Sequence, residues 1–386
     1  MSWGETMLVE RLRWQAQCGW RGGETFSSAD FVLYFGSADR IEAAAAPAAL
    51  AERFPRALLL GCSTAAGILD GHRDETGLVG VACRLQDSQV RLVEADVPSA
   101  SCSADAGRQL GEALRGDGLA GVFVLSDGVD VNGSAITSAI AAALGKSVPV
   151  TGGLAADGAR FVRTTVGVGQ TVRSGRAAAL GFYGKAIRMA HASGGGWDPF
   201  GPRRRITRAD GCTLAELDGK AALSLYEKYL GDEAAGLPGT SLFFPLLIWD
   251  PEDPSQTRVR TVLSIDPAAG TMTFAGDMPQ GWGAQLMRGS FDRLVDHAAR
   301  AGMLARAALE RPAQSQALAL LVSCVGRHML LGQRTDEELH AVAEALGPDV
   351  TQVGFYSHGE IAPNAVCREA ILQNQTMVVT LMAEAP

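Results

Sequence analysis

The amino-acid sequence predicts an α/β fold of mixed α+β character, in two layered modules built from repeated strand-helix-strand-strand units. Three observations carry this. Apolar runs of strand length recur, bounded by glycine or other small residues, as strands covered on both faces require. Helix-like stretches alternate with those runs and would supply the cover. The order of the pieces repeats three times along the chain.

The first copy runs through Phe31 to Gly36, an Ala-rich helix over 39–53, Leu58 to Thr64, and Gly80 to Leu85. The second runs through Val122 to Gly128, a helix over 134–144, Val148 to Gly153, and Ala177 to Tyr183. The third runs through Ala319 to Cys324, a helix over 336–346, Gln352 to Ser357, and Met377 to Leu381. Thr335 and Glu338 have the spacing of a capping box for the third helix, and Gly347-Pro348 would stop it. Between the second and third copies the rhythm changes. A helix is expected over 214–230, then antiparallel strands over 242–249, 258–265 and 271–275, then a long helix over 284–310. A boundary near 231–240 divides the chain into an N-terminal extension (1–30), a first module (31–235) and a second module (236–386).

Bulk properties narrow the function. The 386 residues are 47% hydrophobic and carry a net charge of −8, so a polyanion is repelled on average and nucleic acid is not an expected partner. The densest basic run, Arg203 to Arg205, reads as a solvated turn. Charged residues interrupt the first twenty positions, and no stretch is apolar enough for a membrane span, which predicts a cytoplasmic protein without membrane insertion. Seven scattered cysteines without a Cys-x-x-Cys pair read as reduced thiols.

Several motifs together resemble the FIST (F-box and intracellular signal transduction) proteins, sensory proteins with an N and a C module. They are Leu60-Gly-Cys-Ser-Thr64, Val150-Thr-Gly-Gly153, Gly196-Trp-Asp-Pro-Phe-Gly-Pro202, Gly276 to Gly281, Cys324-Val-Gly-Arg327, Gly354 to Ile361 and Asn374-Gln-Thr376. One departure stands out. The Gly-Glu pair that the family commonly has after its Gly-Cys-Ser-Thr turn is present at Gly359-Glu360, but the first turn reads Ala65-Ala-Gly-Ile68.

Turns at strand carboxy ends are where α/β proteins hold ligands. This singles out Ser63, Thr64, Thr151, Gly152, Ser357, His358 and Glu360, joined by Trp197, Asn374 and by Arg327, which could pair with a ligand carboxylate or with Glu360. A local turn hydrogen bond is the competing role for each polar residue. His191 follows an apolar run and precedes Ser193-Gly-Gly-Gly-Trp197. The resemblance implies that some family members bind haem and sense nitric oxide through a histidine. Here His191 would be that metal ligand, with His358 second, and non-covalent haem b would lie in a slot of Phe182, Tyr183, Trp197 and Phe200. The alternatives are an amino-acid sensor without haem and a hydrolase using Cys62. As no output domain is recognisable in this chain, the signal is expected to pass to a histidine kinase, as in a two-component system, or to a cyclic-di-GMP enzyme. A homodimer is compatible with this reading.

Overall fold

The computed structural model describes residues 7–23, 28–43, 45–253, 256–310 and 316–385. It confirms a mixed α/β fold, and the repeated unit is its organising element. In each of three units a first strand pairs antiparallel with the last, the last pairs antiparallel with the second, and the second pairs parallel with the third. These strands are Leu8–Gln15, Phe31–Gly36, Leu58–Ser63 and Leu78–Arg84 in the first unit. They are Gln89–Asp96, Leu119–Ser126, Val150–Leu154 and Arg176–Tyr183 in the second. In the third they are Ile187–Gly194, Ala317–Cys324, Val350–Ser357 and Met377–Glu384. The parallel crossover in each unit is helical, over Ala38–Ala43 and Ala46–Arg53, Gly133–Leu144, and Val325–Leu331 and Thr335–Leu346.

The units are not independent. After its third strand each unit sends out a small hairpin that joins a neighbour's sheet. Gly67–Leu69 of the first pairs with Val350–Ser357 of the third, Gly359–Pro363 of the third pairs with Val150–Leu154 of the second, and Val166–Val168 of the second pairs with Leu58–Ser63 of the first. The exchange is cyclic, so both N-terminal and C-terminal segments build two of the three sheets.

Strand alternation explains the packing. Phe31, Leu33 and Phe35 point into one core shared with Phe123, Leu125, Leu180, Leu320, Val322 and Phe355, whereas Val32 and Tyr34 point outward to Ile41 and Leu50. The other outer faces are covered in the same way, Val122 and Val124 by Leu110 and Ile136, and Leu321 and Val379 by Ala298 and Leu339. Phe35 stacks on Phe355 at 4.9 Å between ring centroids, joining the first and third units, and Phe31 meets Phe182 of the second edge-on at 5.4 Å. Gly354 could not be another residue, since a Cβ would lie 2.0 Å from the Leu321 carbonyl oxygen across the parallel pair.

A separate lobe interrupts the third unit between its first strand and its first helix, Phe291–Ala308. It has its own core, including Ile206, Tyr226, Ile248, Met272 and Phe274. The chain enters at Trp197–Pro199 and leaves along Gly283–Gly289, and these pair antiparallel, Trp197 opposite Gly289.

The structure corrects several expectations. Residues 8–15 are not an extension but a full strand of the first sheet, hydrogen-bonded to Leu78–Arg84. The position 235/236 falls inside the lobe, whose strands Arg204–Asp210 and Thr213–Leu217 pair across it with Gly283–Gly289 and Thr271–Phe274. Residues 213–217 and 283–289 are strands rather than helix, because tertiary pairing in the lobe overrides their helical period. The capping box does not form, since Glu338 turns inward to Arg327 and Thr335 Oγ1 donates to the Gly332 carbonyl at 2.7 Å.

With one core between three sheets, unfolding should be a single cooperative event for the three units. Phe355→Ala is expected to cost about 3–5 kcal/mol. In urea, far-ultraviolet circular dichroism should then report the same lowered midpoint as tryptophan fluorescence, to which Trp14 and Trp20 of the first unit contribute.

Candidate functional site

The turns selected from the sequence do converge, and they hold one another. Ser63 Oγ accepts the Thr165 backbone N–H at 2.9 Å. Thr64 Oγ1 donates to the Tyr356 carbonyl at 2.7 Å and accepts the Tyr356 N–H at 2.9 Å, so a side chain of the first unit extends the ladder of the third. Ser357 Oγ donates to Glu360 Oε1 at 2.7 Å, while Glu360 Oε2 accepts the N–H and hydroxyl of Thr376 at 3.0 and 2.9 Å. Burial pushes the Glu360 carboxyl up to about 7, against those hydrogen bonds and Arg327, which pull it down.

Arg327 is fully buried and bonded on every side. It pairs with Glu338 through Nε at 2.9 Å and through a second short contact, and it donates to the carbonyls of Leu294 at 2.8 Å, Gln375 at 3.2 Å and Gly195. No donor is left for a ligand carboxylate, and its ion-pair partner is Glu338 rather than Glu360. Trp197 Nε1 donates to the Gln375 carbonyl at 2.9 Å. Gly152 has a φ of 140° and lies against the Val124 backbone, where a Cβ would meet the carbonyl oxygen at 1.9 Å. Thr151 Oγ1 and both amide atoms of Asn374 are buried without a partner among the described residues.

His358 closes the cluster. Its Nδ1 faces the Gly128 carbonyl at 3.3 Å, its Nε2 faces the Gly158 carbonyl at 3.0 Å, and Asp157 Oδ1 lies 3.5 Å from Nε2. Phe161 stacks on the ring at 4.2 Å. Burial pulls the imidazole pKa down, opposed by these carbonyls and by Asp157 and Asp127. The hollow left beside Ser357 and His358, bounded also by Phe161, Leu242, Thr261 and Cys324, is about 20 Å³ and has room for a water molecule.

A larger hollow lies elsewhere, around His191. A half-open cavity of about 540 Å³ is lined by Met189 to Ser193, by Lys146, Ser147 and Pro149 of the second unit, by Leu304 and Ala308 of the helix Phe291–Ala308, and by Pro363, Asn364, Ala365 and Arg368. That volume suits a small-molecule site. The His191 ring is half-buried and makes no hydrogen bond with a described residue, and burial followed by the nearby Arg368 lowers its pKa. It therefore presents a neutral imidazole. Lys146 lies 3.5 Å from Glu369, whereas Arg368 has no carboxylate partner among the described residues.

The slot expected around His191 is not formed. Phe182 lies in the shared core, Tyr183 donates its hydroxyl to the Leu114 carbonyl, Trp197 packs on Met287 and Leu294, and Phe200 belongs to the lobe. Sequence reasoning missed Lys146, Pro149, Asn364 and Arg368 because their only local signals are a turn after a helix and a hairpin tip. Cys62 is fully enclosed in the shared core with its thiol pushed up by burial, a setting that suits packing and not attack on a substrate.

Comparison with known proteins accords with this arrangement: the FIST N domain matches residues 30–220 and the FIST C domain residues 222–363. The chain belongs to the FIST family. FIST domains are associated with small-ligand-binding sensors in signal transduction. No curated protein matches the chain. Among solved structures, a cyanuric acid hydrolase from A. caulinodans is similar over 78% of this chain and 100% of its own, with 11% identity and a TM-score of 0.18. No helix among the described residues of this FIST protein is long and apolar enough to cross a membrane.

The buried polar cluster can be tested at two of its members. Arg327→Ala strands Glu338 as an unpaired buried charge and should cost about 3–5 kcal/mol, read by urea denaturation. Glu360 binds its proton more tightly folded than unfolded, so its contribution to stability is complete below about pH 4.5 and is lost as pH rises toward 7, on the order of 3 kcal/mol in all. Denaturation from pH 4.5 to 8 should show that loss in the native protein and not in Glu360→Gln; equal slopes would contradict it.

Proposed function

We propose that this FIST protein is a cytoplasmic sensor that holds a small organic anion in the His191 cavity and does not transform it. The cavity carries the reading, because it brings together an apolar floor, a free imidazole, an amide and two cationic side chains in a volume suited to a ligand. Arg368 and Lys146 would take the anionic group, and Met189, Pro149, Pro363 and Leu304 the apolar body. The turn cluster containing Ser63, Thr64, Thr151, Ser357, Glu360 and Asn374 would act as the clasp that keeps the units in register with the cavity.

The more specific ligand in this reading is haem b, held without the aromatic slot by residues of the cavity. His191, half-buried with its pKa lowered and without a hydrogen bond to a described residue, would supply the nitrogen ligand, and Lys146 and Arg368 would take the two propionates. Bound haem would supply an iron position for nitric oxide, while the chain itself would hold the macrocycle and set its access. An amino acid is the alternative ligand, favoured by the unpaired Arg368. Signal would leave through a separate histidine kinase or cyclic-di-GMP enzyme, driven by a difference in ligand affinity between two arrangements of the hairpin tip 364–369.

Purified protein reconstituted with haem b is expected to show a Soret band that shifts under nitric oxide. His191→Ala should abolish the band, and Arg368→Ala should weaken haem retention about tenfold. A band unaffected by His191→Ala overturns the haem assignment. Thermal stabilisation by an amino acid, lost in Arg368→Ala, would then identify the anion sensor.

A further inference from the structure

The wall of the cavity contributed by Met189 to Ser193 is five consecutive residues of one strand. In a strand, alternate side chains point to opposite faces, so a surface touched by all five in succession is the strand's edge. The packing agrees. Met189 packs toward the shared core, while Ala190 and Ala192 pack toward the helical layer. Pro149 and Pro363 of the second sheet wall the groove on one face, and Leu304 and Ala308 wall it on the other.

Ile187–Gly194 pairs with Met377–Glu384 on its inner side only, and no described residue accepts or donates a backbone hydrogen bond on its outer side from Arg188 to Ser193. Such an edge is a template for another strand. The three units allow a comparison within the molecule, because each has its first strand at the same outer position. In the first unit, Leu8–Gln15 is capped by Gly19–Arg21 and carries Glu10, Arg11 and Arg13. In the second, Gln89–Asp96 exposes Arg91, Glu94 and Asp96. Both edges are thus protected. The third has Arg188 as its single charge and small or apolar residues flanking His191 from Met189 to Gly194.

We propose that this groove receives an extended polypeptide segment of a partner protein, added as a strand to the edge of Ile187–Gly194, with a carboxylate of the segment held by Arg368. Backbone hydrogen bonds would give affinity, and side chains at alternate positions would meet Leu304 on one wall and Pro149 on the other. Five residues span about 16 Å, the length of an ordinary strand. Arg368, which has no ion-pair partner among the described residues, sets the preference for a carboxylate, either a chain terminus or an acidic side chain. The segment and a small ligand would share the groove and displace one another, and the proposal does not require haem.

The test uses the full-length protein without added ligand and a pool of random soluble octapeptides in two arms, one with free and one with amidated carboxy termini. Selection should enrich peptides that bind the native protein at least tenfold more tightly than Arg368→Ala, whose fold is checked by its circular dichroism and melting. N-methylation of alternate backbone amides in a selected peptide should abolish binding when the methyl groups fall on the edge-facing register and leave it when they fall on the other. Enrichment confined to the free-carboxylate arm assigns the carboxylate to a chain terminus, and enrichment of acidic peptides in both arms assigns it to a side chain. No enrichment over Arg368→Ala, or binding indifferent to both N-methyl registers, overturns the proposal. The Soret experiment fails or succeeds separately.

Discussion

The cyclic exchange of hairpins is the constraint on which the rest of the molecule depends. Each unit completes a neighbour's sheet, so none can bury its inner face alone, and the core around Phe31, Phe123, Leu320 and Phe355 exists only when all three are assembled. The strands need not be polar on either side, because one face meets that core and the other a helix. This explains why the sequence carries continuous apolar runs instead of alternation.

The same exchange places the polar residues. The bends after the third strands are where the chain leaves one sheet for another, and backbone groups there must find partners across units. Thr64 with Tyr356, Ser63 with Thr165 and His358 with Gly128 are those partners. Sharing the bends in this way leaves little empty space between them. Room for a guest appears instead at a seam, where an unpaired sheet edge, a helix end and the tip of an exchanged hairpin fail to close on one another.

Much of the fold was legible in the sequence. The three copies, their parallel crossover helices and the change of rhythm between the second and third all correspond to observed elements, since each rests on local periodicity. The exchange was not legible. Gly67–Leu69 and Val166–Val168 are three-residue strands whose partners lie far away in the chain, at Val350–Ser357 and Leu58–Ser63, and no periodicity marks so short a piece. Of the candidate cavity, His191 alone among the site residues named from the sequence was legible. His191 was marked by the glycine-rich stretch after it, but Lys146 and Arg368 belong to segments distant in sequence, and only the assembled sheets bring them to one cavity. Arg327 shows the opposite case, a residue whose type suggested recognition and whose partners make it structural.

The lobe hangs from the body by two paired passages of chain, Trp197–Pro199 going out and Met287–Gly289 coming back. Beside them the guanidinium of Arg327 donates to the carbonyls of Gly195, just before the outgoing passage, and Leu294, just after the returning one. A load on the lobe is therefore shared between that buried cation and further ties to the body, Arg260 donating to the Leu372 carbonyl at 3.1 Å and Asn132 Nδ2 donating to Asp277 Oδ1 at 3.0 Å. The molecule thus has the anatomy of a braced bracket, with one of its fixings at the end of the same strand that carries His191 along the groove.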